Sequence, residues 1–209
     1  MKIAVVAANG KAGMLIVKEA LDRGHEVTAI VRGENKSAAP SALIKDVMEL
    51  SMDDLKDFDV VVDAVGAWTP ETVNIVPEAA KHLAGVLAGS DVRLVVVGGA
   101  GSLFVNPEHT QTVLDVTEFP AEALPVVEAH QVALDELRTY ADTKWTYVSP
   151  AGEFVADGER TGEYILGGEE LTLNSKGEST ISYADYAIAM VDEIEKGDHI
   201  KERISVVSA

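Results

Sequence analysis

The stretch "AVVAANGKAG", residues 4–13, passes from a β-branched and alanine run straight into small residues and two glycines. Its spacing is Ala7-x-x-Gly10-x-x-Gly13, set between a strand-like segment, "KIAVVA" (2–7), and a helix-like one, "GMLIVKEALDRG" (13–24). A turn of this kind in this place is a candidate dinucleotide site. Gly10 lets a pyrophosphate approach the backbone, and Gly13 lets helix and strand pack closely. The first N–H groups of the helix, with their partial positive charge, then face the phosphates. Ala7, Asn9, Gly10, Lys11, Ala12 and Gly13 make up the candidate turn. Glycine spacing alone is a weak signal, but the strand-then-helix context it requires is present.

Moving outward, strand-like and helix-like runs alternate. "EVTAIV" (26–31), "DVVVDAV" (59–65), "RLVVVGG" (93–99) and "WTYVSP" (145–150) are short, rich in valine or isoleucine, and almost continuously apolar, as parallel strands covered on both faces should be. A weaker strand, "ALIKDV" (42–47), precedes the acidic turn "SMDDLKDF". Helical spacing marks 13–24, about 72–88, and 125–141, and Gly24 suits a left-handed helix stop. The alternation predicts an α/β fold with a doubly wound parallel sheet, one domain over residues 1–209. In the C-terminal part, "GEYILGGEELTLNSKG" (162–177) reads as a hairpin around Gly167-Gly168, and "SYAD" (182–185) has the spacing of a capping box opening a helix. "RISVV" (203–207) supplies a last strand. Residues from about 150 to 209 are expected to contribute a substrate pocket.

Composition narrows the function. Of 209 residues 47% are hydrophobic and 25% charged, which argues against disorder. The absence of cysteine excludes disulfides, thiolate metal sites and cysteine nucleophiles. Apart from His130, the histidines (His25, His82, His109, His199) show no ligand spacing with one another or with acids, so no metal site is expected. The formal net charge of −18 with no basic patch argues against nucleic acid and anionic membrane as partners. The N-terminus lacks the pattern of a secretory signal, and no window approaches the roughly 18 uninterrupted apolar residues of a membrane span. The expectation is a cytoplasmic enzyme or binding protein, monomeric or weakly dimeric, with a small-molecule partner. An anionic ligand must bind against the overall field, so backbone dipoles and a few cations have to win at close range.

The end of the second strand discriminates between cofactors. An acidic residue about 20 positions beyond the turn would hold the adenosine ribose of NAD, whereas arginine favours the 2′-phosphate of NADP. Here "IVRGEN" places Arg32 just past the strand, nineteen residues after Gly13. A guanidinium is a good phosphate ligand, so NADPH is expected in preference to NADH. Lys36 is either a second contact or a free loop lysine. Asp46 and Val47 either border the adenine or form a simple turn.

"AANGKAG", "RGHEVTAIVR", "DVVVDAVG", "VVVGGAGSL" and "ISYADYAIAMVDEIE" together resemble the atypical short-chain dehydrogenase/reductase branch, in particular NmrA-like NAD(P)-binding proteins and NADH-flavin reductases of the flavin reductase/biliverdin reductase type. The resemblance runs over about residues 1–207 and is more specific for the cofactor than for the substrate. It implies that Ala64, Val65 and Gly66 line the cofactor and that Ser102 lies close to the nicotinamide. It also implies that Pro150 and Ala151 pass beside the carboxamide. Relatives carry glycine at Ala7; alanine serves if its φ stays negative. Asn9 stands where relatives have threonine and is free to brace the turn. Ser102 has a second reading, as a turn serine capping local backbone.

Carbonyl-reducing short-chain dehydrogenases use a tyrosine four positions before a lysine on the helix after the fifth strand. "LPVVEAHQVALDELRTY" contains no such pair; Tyr140 lies at its far end, with Lys144 beyond it. Reduction of a flavin does not need that acid, because the charge left by hydride transfer is delocalised and solvent can protonate it. FMN or FAD, as substrate, therefore suits the site better than a simple ketone. His130 is either a proton donor of near-neutral pKa or a histidine with no chemical role. Trp68 and Phe104 offer stacking faces or anchor loops. Glu153 and Phe154 edge the pocket, and Arg160, if unpaired, could receive a flavin phosphate or propionate. The resulting expectation is an NAD(P)H-dependent oxidoreductase. A non-catalytic redox sensor that binds the same dinucleotide is the alternative, and an epimerase or carbonyl reductase is disfavoured.

Overall fold

The computed structural model describes all residues, 1–209. Ten strands and six helices follow one another as β1 (Lys2–Val6), α1 (Lys11–Asp22), β2 (Glu26–Val31), β3 (Ser41–Ile44), α2 (Met52–Leu55), β4 (Val60–Asp63), α3 (Ile75–Leu87), β5 (Arg93–Val97), α4 (Val113–Val116), α5 (Leu124–Arg138), β6 (Trp145–Ser149), β7 (Glu153–Val155), β8 (Tyr164–Gly167), β9 (Thr180–Ser182), α6 (Tyr183–Lys196) and β10 (Glu202–Ser208). Eight strands form one sheet in the order β3-β2-β1-β4-β5-β6-β10-β8, and β7 and β9 form a separate parallel pair. Every pairing in the large sheet is parallel except β8 with β10. The fold is the expected α/β Rossmann-like one, and the order reverses between β1 and β4, the switch point where such sheets bind ligands.

The continuous apolar runs in the strands follow from burial on both faces. Ile3, Val5, Val60 and Val62 join α1 and α6 in a core of 25 buried residues, while Ala4, Val6, Val61, Leu94 and Val96 join α3 and α5 in one of 24. Neither face can tolerate a polar alternate position, so strand alternation disappears. α1 stops where Gly24 takes φ 81°, and α6 where Gly197 takes φ 65°, conformations costly for a side-chain-bearing residue.

Three C-terminal and edge expectations need correction. β3 ends at Ile44 rather than Val47, because the Asp46 carboxylate accepts from the Met48 N–H and turns the chain into a 3-10 turn. Residues 162–177 do not form a hairpin. β8 pairs antiparallel with β10, with Gly167 opposite Ser205, because β10 presents a free edge of the large sheet; after Gly168 the chain pairs with residue 104 instead. The capping box at Ser182 is half made. Ser182 Oγ accepts from the Asp185 N–H at 3.0 Å, but the Asp185 carboxylate does not return the bond. It accepts from the N–H groups of Thr161 and Gly162 and from Thr161 Oγ, pinning that loop to α6.

Candidate active site at the carboxyl edge of the sheet

The turn after β1 is built for close approach. A Cβ on Gly13 would stand 2.5 Å from the Ala7 carbonyl oxygen and 3.0 Å from Ala8 Cα, so only glycine lets α1 lie this near the strand. A Cβ on Gly10 would meet only the Ala7 oxygen, at 3.3 Å. Ala7 departs from expectation: its φ is +59°, not negative. This is the left-handed region, which glycine adopts without strain and alanine does not. The conformation is held by the Gly10 N–H donating to the Ala7 carbonyl at 3.0 Å. α1 starts with no side-chain cap and no acidic residue in its first turn. The N–H groups at Lys11, Ala12 and Gly13 are thus left for a phosphate.

Asn9 braces the turn from outside. Its Nδ2 donates to the Glu34 carbonyl and its Oδ1 accepts from the Lys36 N–H, so the loop carrying Arg32 is tied to the phosphate turn. Arg32 is exposed and has no side-chain partner, as a ligand for an incoming phosphate should be. Lys36 enters through its backbone alone. Asp46 caps the turn after β3, and Val47 is buried in the α3–α5 core, which leaves the backbone there to border a base.

At the end of β4, Ala64 and Val65 are half-buried and Gly66 faces empty space, with nothing near its missing Cβ. Trp68 is 76% exposed and no ring packs on it. One residue that the sequence reading passed over lies just below: Asp63, buried, with no cation beside it and one bond, from the Val65 N–H at 3.0 Å. Burial pushes its pKa up to about 7, and the Val65 bond offsets only part of that. An acid interrupting "VVVDAV" was the signal available.

At the end of β5, Gly98 and Gly99 lie flat against β6 and α5. A Cβ on Gly98 would stand 2.3 Å from the Tyr147 ring, and one on Gly99 2.8 Å from His130 Cβ. Tyr147 Oη accepts from the Gly99 N–H and donates to the His130 carbonyl, both at 2.9 Å. With its proton committed and its pKa raised by burial, Tyr147 is no proton donor. Of the two readings of His130, the proton donor of near-neutral pKa is disfavoured, because burial lowers its pKa to about 4. Its Nδ1 is buried without a partner. An N–H trapped there would be more costly than an idle lone pair, an arrangement that favours the neutral ring with its proton on Nε2. Tyr140 lies on the α3 side beside Gly85.

Ser102, in the loop beyond, accepts a hydrogen bond from Arg203 at 3.1 Å. The Phe104 ring is stacked on His109 (4.4 Å, 4°), so it anchors its own loop. Pro150 and Ala151 are buried at the end of β6. Glu153 is exposed, whereas Phe154 is half-buried with its ring packed against Tyr183 (3.8 Å) and Tyr186 (4.8 Å). Arg160 is not unpaired: it donates to Glu19 at 2.9 Å on the outer side of α1, because Glu19 is the carboxylate its loop meets there.

The strand order therefore lines up Arg32 (β2), the glycine turn (β1), Ala64–Gly66 (β4), Ser102 (β5) and Pro150 (β6) along one edge. Arg32 and Ser102 follow strands three spacings apart, roughly 14 Å, a span suited to an extended dinucleotide. Fold and turn together define a Rossmann dinucleotide-binding protein.

Comparison with known proteins agrees. The NAD(P)H-binding family profile matches residues 7–196, and the chain belongs to that family. It is 47% identical to the uncharacterized protein YwnB of Bacillus subtilis (strain 168) over 211 residues, covering 100% of this chain and 99% of that protein. SP1627 of Streptococcus pneumoniae TIGR4, described as "a putative NADH-flavin reductase", has a crystal structure that superposes with a TM-score of 0.97 at 55% identity, over the whole of both chains. A "putative epimerase" of Bacteroides thetaiotaomicron superposes with a TM-score of 0.80 at 33% identity, covering 99% of this chain and 96% of that one. No helix here is long and apolar enough to cross a membrane.

Proposed function

We propose that this chain is an NADPH-dependent reductase whose acceptor is a flavin or a similar planar conjugated molecule. The dinucleotide would lie along the carboxyl edge, its 2′-phosphate on Arg32, its pyrophosphate on the turn from Ala7 to Gly13, and its nicotinamide between Ser102 and Pro150. Once bound, it supplies a hydride to the acceptor, and the balancing proton comes from solvent.

The observation that carries the choice of acceptor is the state of the ionisable groups around the nicotinamide end. Tyr147 has spent its O–H on the His130 carbonyl, and burial disfavours the charged, proton-giving form of His130. Neither is ready to give a proton to the alkoxide that ketone reduction produces, whereas a conjugated acceptor spreads the incoming charge and can wait for solvent. Trp68, exposed at the end of β4, offers a face for a planar ring. The segment from about 150 to 209 would close the pocket. SP1627, described as "a putative NADH-flavin reductase", supports the choice of a flavin acceptor.

Steady-state oxidation of NADPH with free FMN or FAD tests it. Turnover that saturates in both is expected. Tight NADPH binding without turnover of any planar acceptor would contradict the proposal and leave a dinucleotide sensor.

A further inference from the structure

Beneath the loop that follows β5 lies a guanidinium with no obvious structural debt to the core. Arg203 stands on β10 opposite Tyr147 of β6, so its side chain enters the α5 face of the sheet, where it is buried. An arginine in an otherwise apolar strand is costly unless all its donors are used. They are used in two directions. Nε and Nη2 grip Glu169 Oε2 at 3.0 and 2.6 Å, and Glu169 is held in turn by Arg138. Nη1 donates to Ser102 Oγ at 3.1 Å and to Ser149 Oγ at 3.3 Å, while Nη2 donates to the Ser102 carbonyl at 3.1 Å. Ser102 is thus held by both its side chain and its backbone, from a strand 101 residues away.

The chemistry of the pair then fixes the direction of the remaining valence. A guanidinium has five donors and no acceptor, and a serine hydroxyl has one hydrogen. Ser102 Oγ can only accept from Arg203, so its own hydrogen must point elsewhere, and no acceptor within the protein takes it. A charged donor on the same oxygen also polarises the O–H and makes it a better donor. Tyr147 performs the matching task at the other end of the loop by receiving the Gly99 N–H.

We propose that Arg203 is a positioning residue for Ser102: it turns the Ser102 hydroxyl into a single outward-facing hydrogen-bond donor for a carbonyl oxygen or ring nitrogen of the planar acceptor. The role rests on the reductase reading above and adds to it a requirement on the acceptor, which must present a heteroatom beside its reducible position. Glu169 serves as the counter-charge that keeps Arg203 in place.

The test is a double-mutant cycle of Ser102→Ala and Arg203→Met, with Arg203→Lys as the conservative control, read in three ways. With NADPH and FMN, each of the first two variants should lose at least about tenfold in kcat with little change in KM for NADPH, and the double variant should be no slower than the worse single one. Arg203→Lys should recover part of the loss. Binding of oxidised FMN, followed by fluorescence without dinucleotide, should weaken about fivefold in Ser102→Ala. Amide hydrogen exchange in residues 99–104 should accelerate in Arg203→Met and stay slow in Ser102→Ala, which checks the strap in protein that has met no ligand. Losses that simply multiply, or a Ser102→Ala variant with unchanged kcat and FMN affinity, would overturn the proposal while leaving the reductase reading intact. Wild-type protein without turnover would refute the reductase reading and the acceptor contact together, and unaltered exchange in Arg203→Met would refute the strap by itself. Should Arg203→Met fail to fold, Arg203→Lys and Glu169→Gln carry the same comparison.

Discussion

Asn9 and Lys36 are joined by a hydrogen bond of 2.7 Å from the Lys36 N–H to the Asn9 carboxamide oxygen, and the same carboxamide donates to the Glu34 carbonyl at 2.8 Å. One side chain in the phosphate turn thereby sets the loop that presents Arg32. Asn9→Ala removes both bonds and should lower NADPH affinity by up to about thirtyfold, at the rate of roughly 1 kcal/mol per hydrogen bond. NADH affinity should fall less, because only the phosphate-bearing dinucleotide depends on where Arg32 stands. Calorimetric titration of the two coenzymes reads the difference, and equal losses would separate Arg32 from the loop's function.

Arg32→Glu tests the cofactor assignment itself. A guanidinium–phosphate bond is worth about 1.5–3 kcal/mol, so NADPH should bind at least about tenfold more weakly while NADH is little affected. Selectivity then narrows or reverses. A variant that loses both coenzymes alike would place the 2′-phosphate elsewhere.

The turn makes a prediction about stability. Ala7 holds φ +59°, which costs an L-residue roughly 1 kcal/mol that glycine avoids. Ala7→Gly should be neutral to stabilising, raising Tm by up to about 3 °C despite the greater freedom of glycine in the unfolded chain. Gly13→Ala should destabilise by about 1–3 kcal/mol, since its Cβ would stand 2.5 Å from backbone. Gly10→Ala should keep its Tm and lose dinucleotide binding. Thermal unfolding with and without NADPH distinguishes the three.

These contrasts show which features can be read from a chain of letters. Strand runs and the glycine turn were legible because each is a local pattern whose physics acts within a few residues. The sign of φ at Ala7 was not, since alanine gives no hint that its neighbours hold it in a glycine conformation. β8 was misread because "YILGG" looks like half of a hairpin, and only the free edge of β10 decides its partner. The pairing of Arg160 with Glu19 and of Arg203 with Ser102 joins residues more than a hundred apart, so no window contains them. His130 was visible as a residue, but its charge state depends on burial, which a helical face alone does not settle.

Asp63 and His130 should give opposite pH signatures. Asp63 has a folded pKa of about 7, above the usual carboxylate value of about 4, so its contribution is fully present below about pH 4 and is lost as pH rises to about 7. His130 has a folded pKa of about 4, below the usual imidazole value of about 6.5, so its contribution is present above about pH 6.5 and is lost as pH falls to about 4. Each amounts to on the order of 3 kcal/mol, and between about pH 4 and 6.5 they oppose one another. Urea unfolding across this range should show Asp63→Asn gaining stability over wild type as pH rises, levelling above about pH 7. His130→Gln should gain on wild type as pH falls from about 6.5 to about 4, since only wild type loses the His130 contribution there. Variants that track wild type at every pH would mean that both groups titrate normally.

The proposed reaction is tested most directly by a single turnover. Protein, NADPH and a stoichiometric amount of FMN are mixed in a stopped-flow instrument without oxygen, and dihydronicotinamide absorbance and flavin colour are followed together. The account predicts that both fall in step, one NADPH consumed for each flavin bleached, far faster than without protein. Dinucleotide that binds while neither signal changes would contradict it.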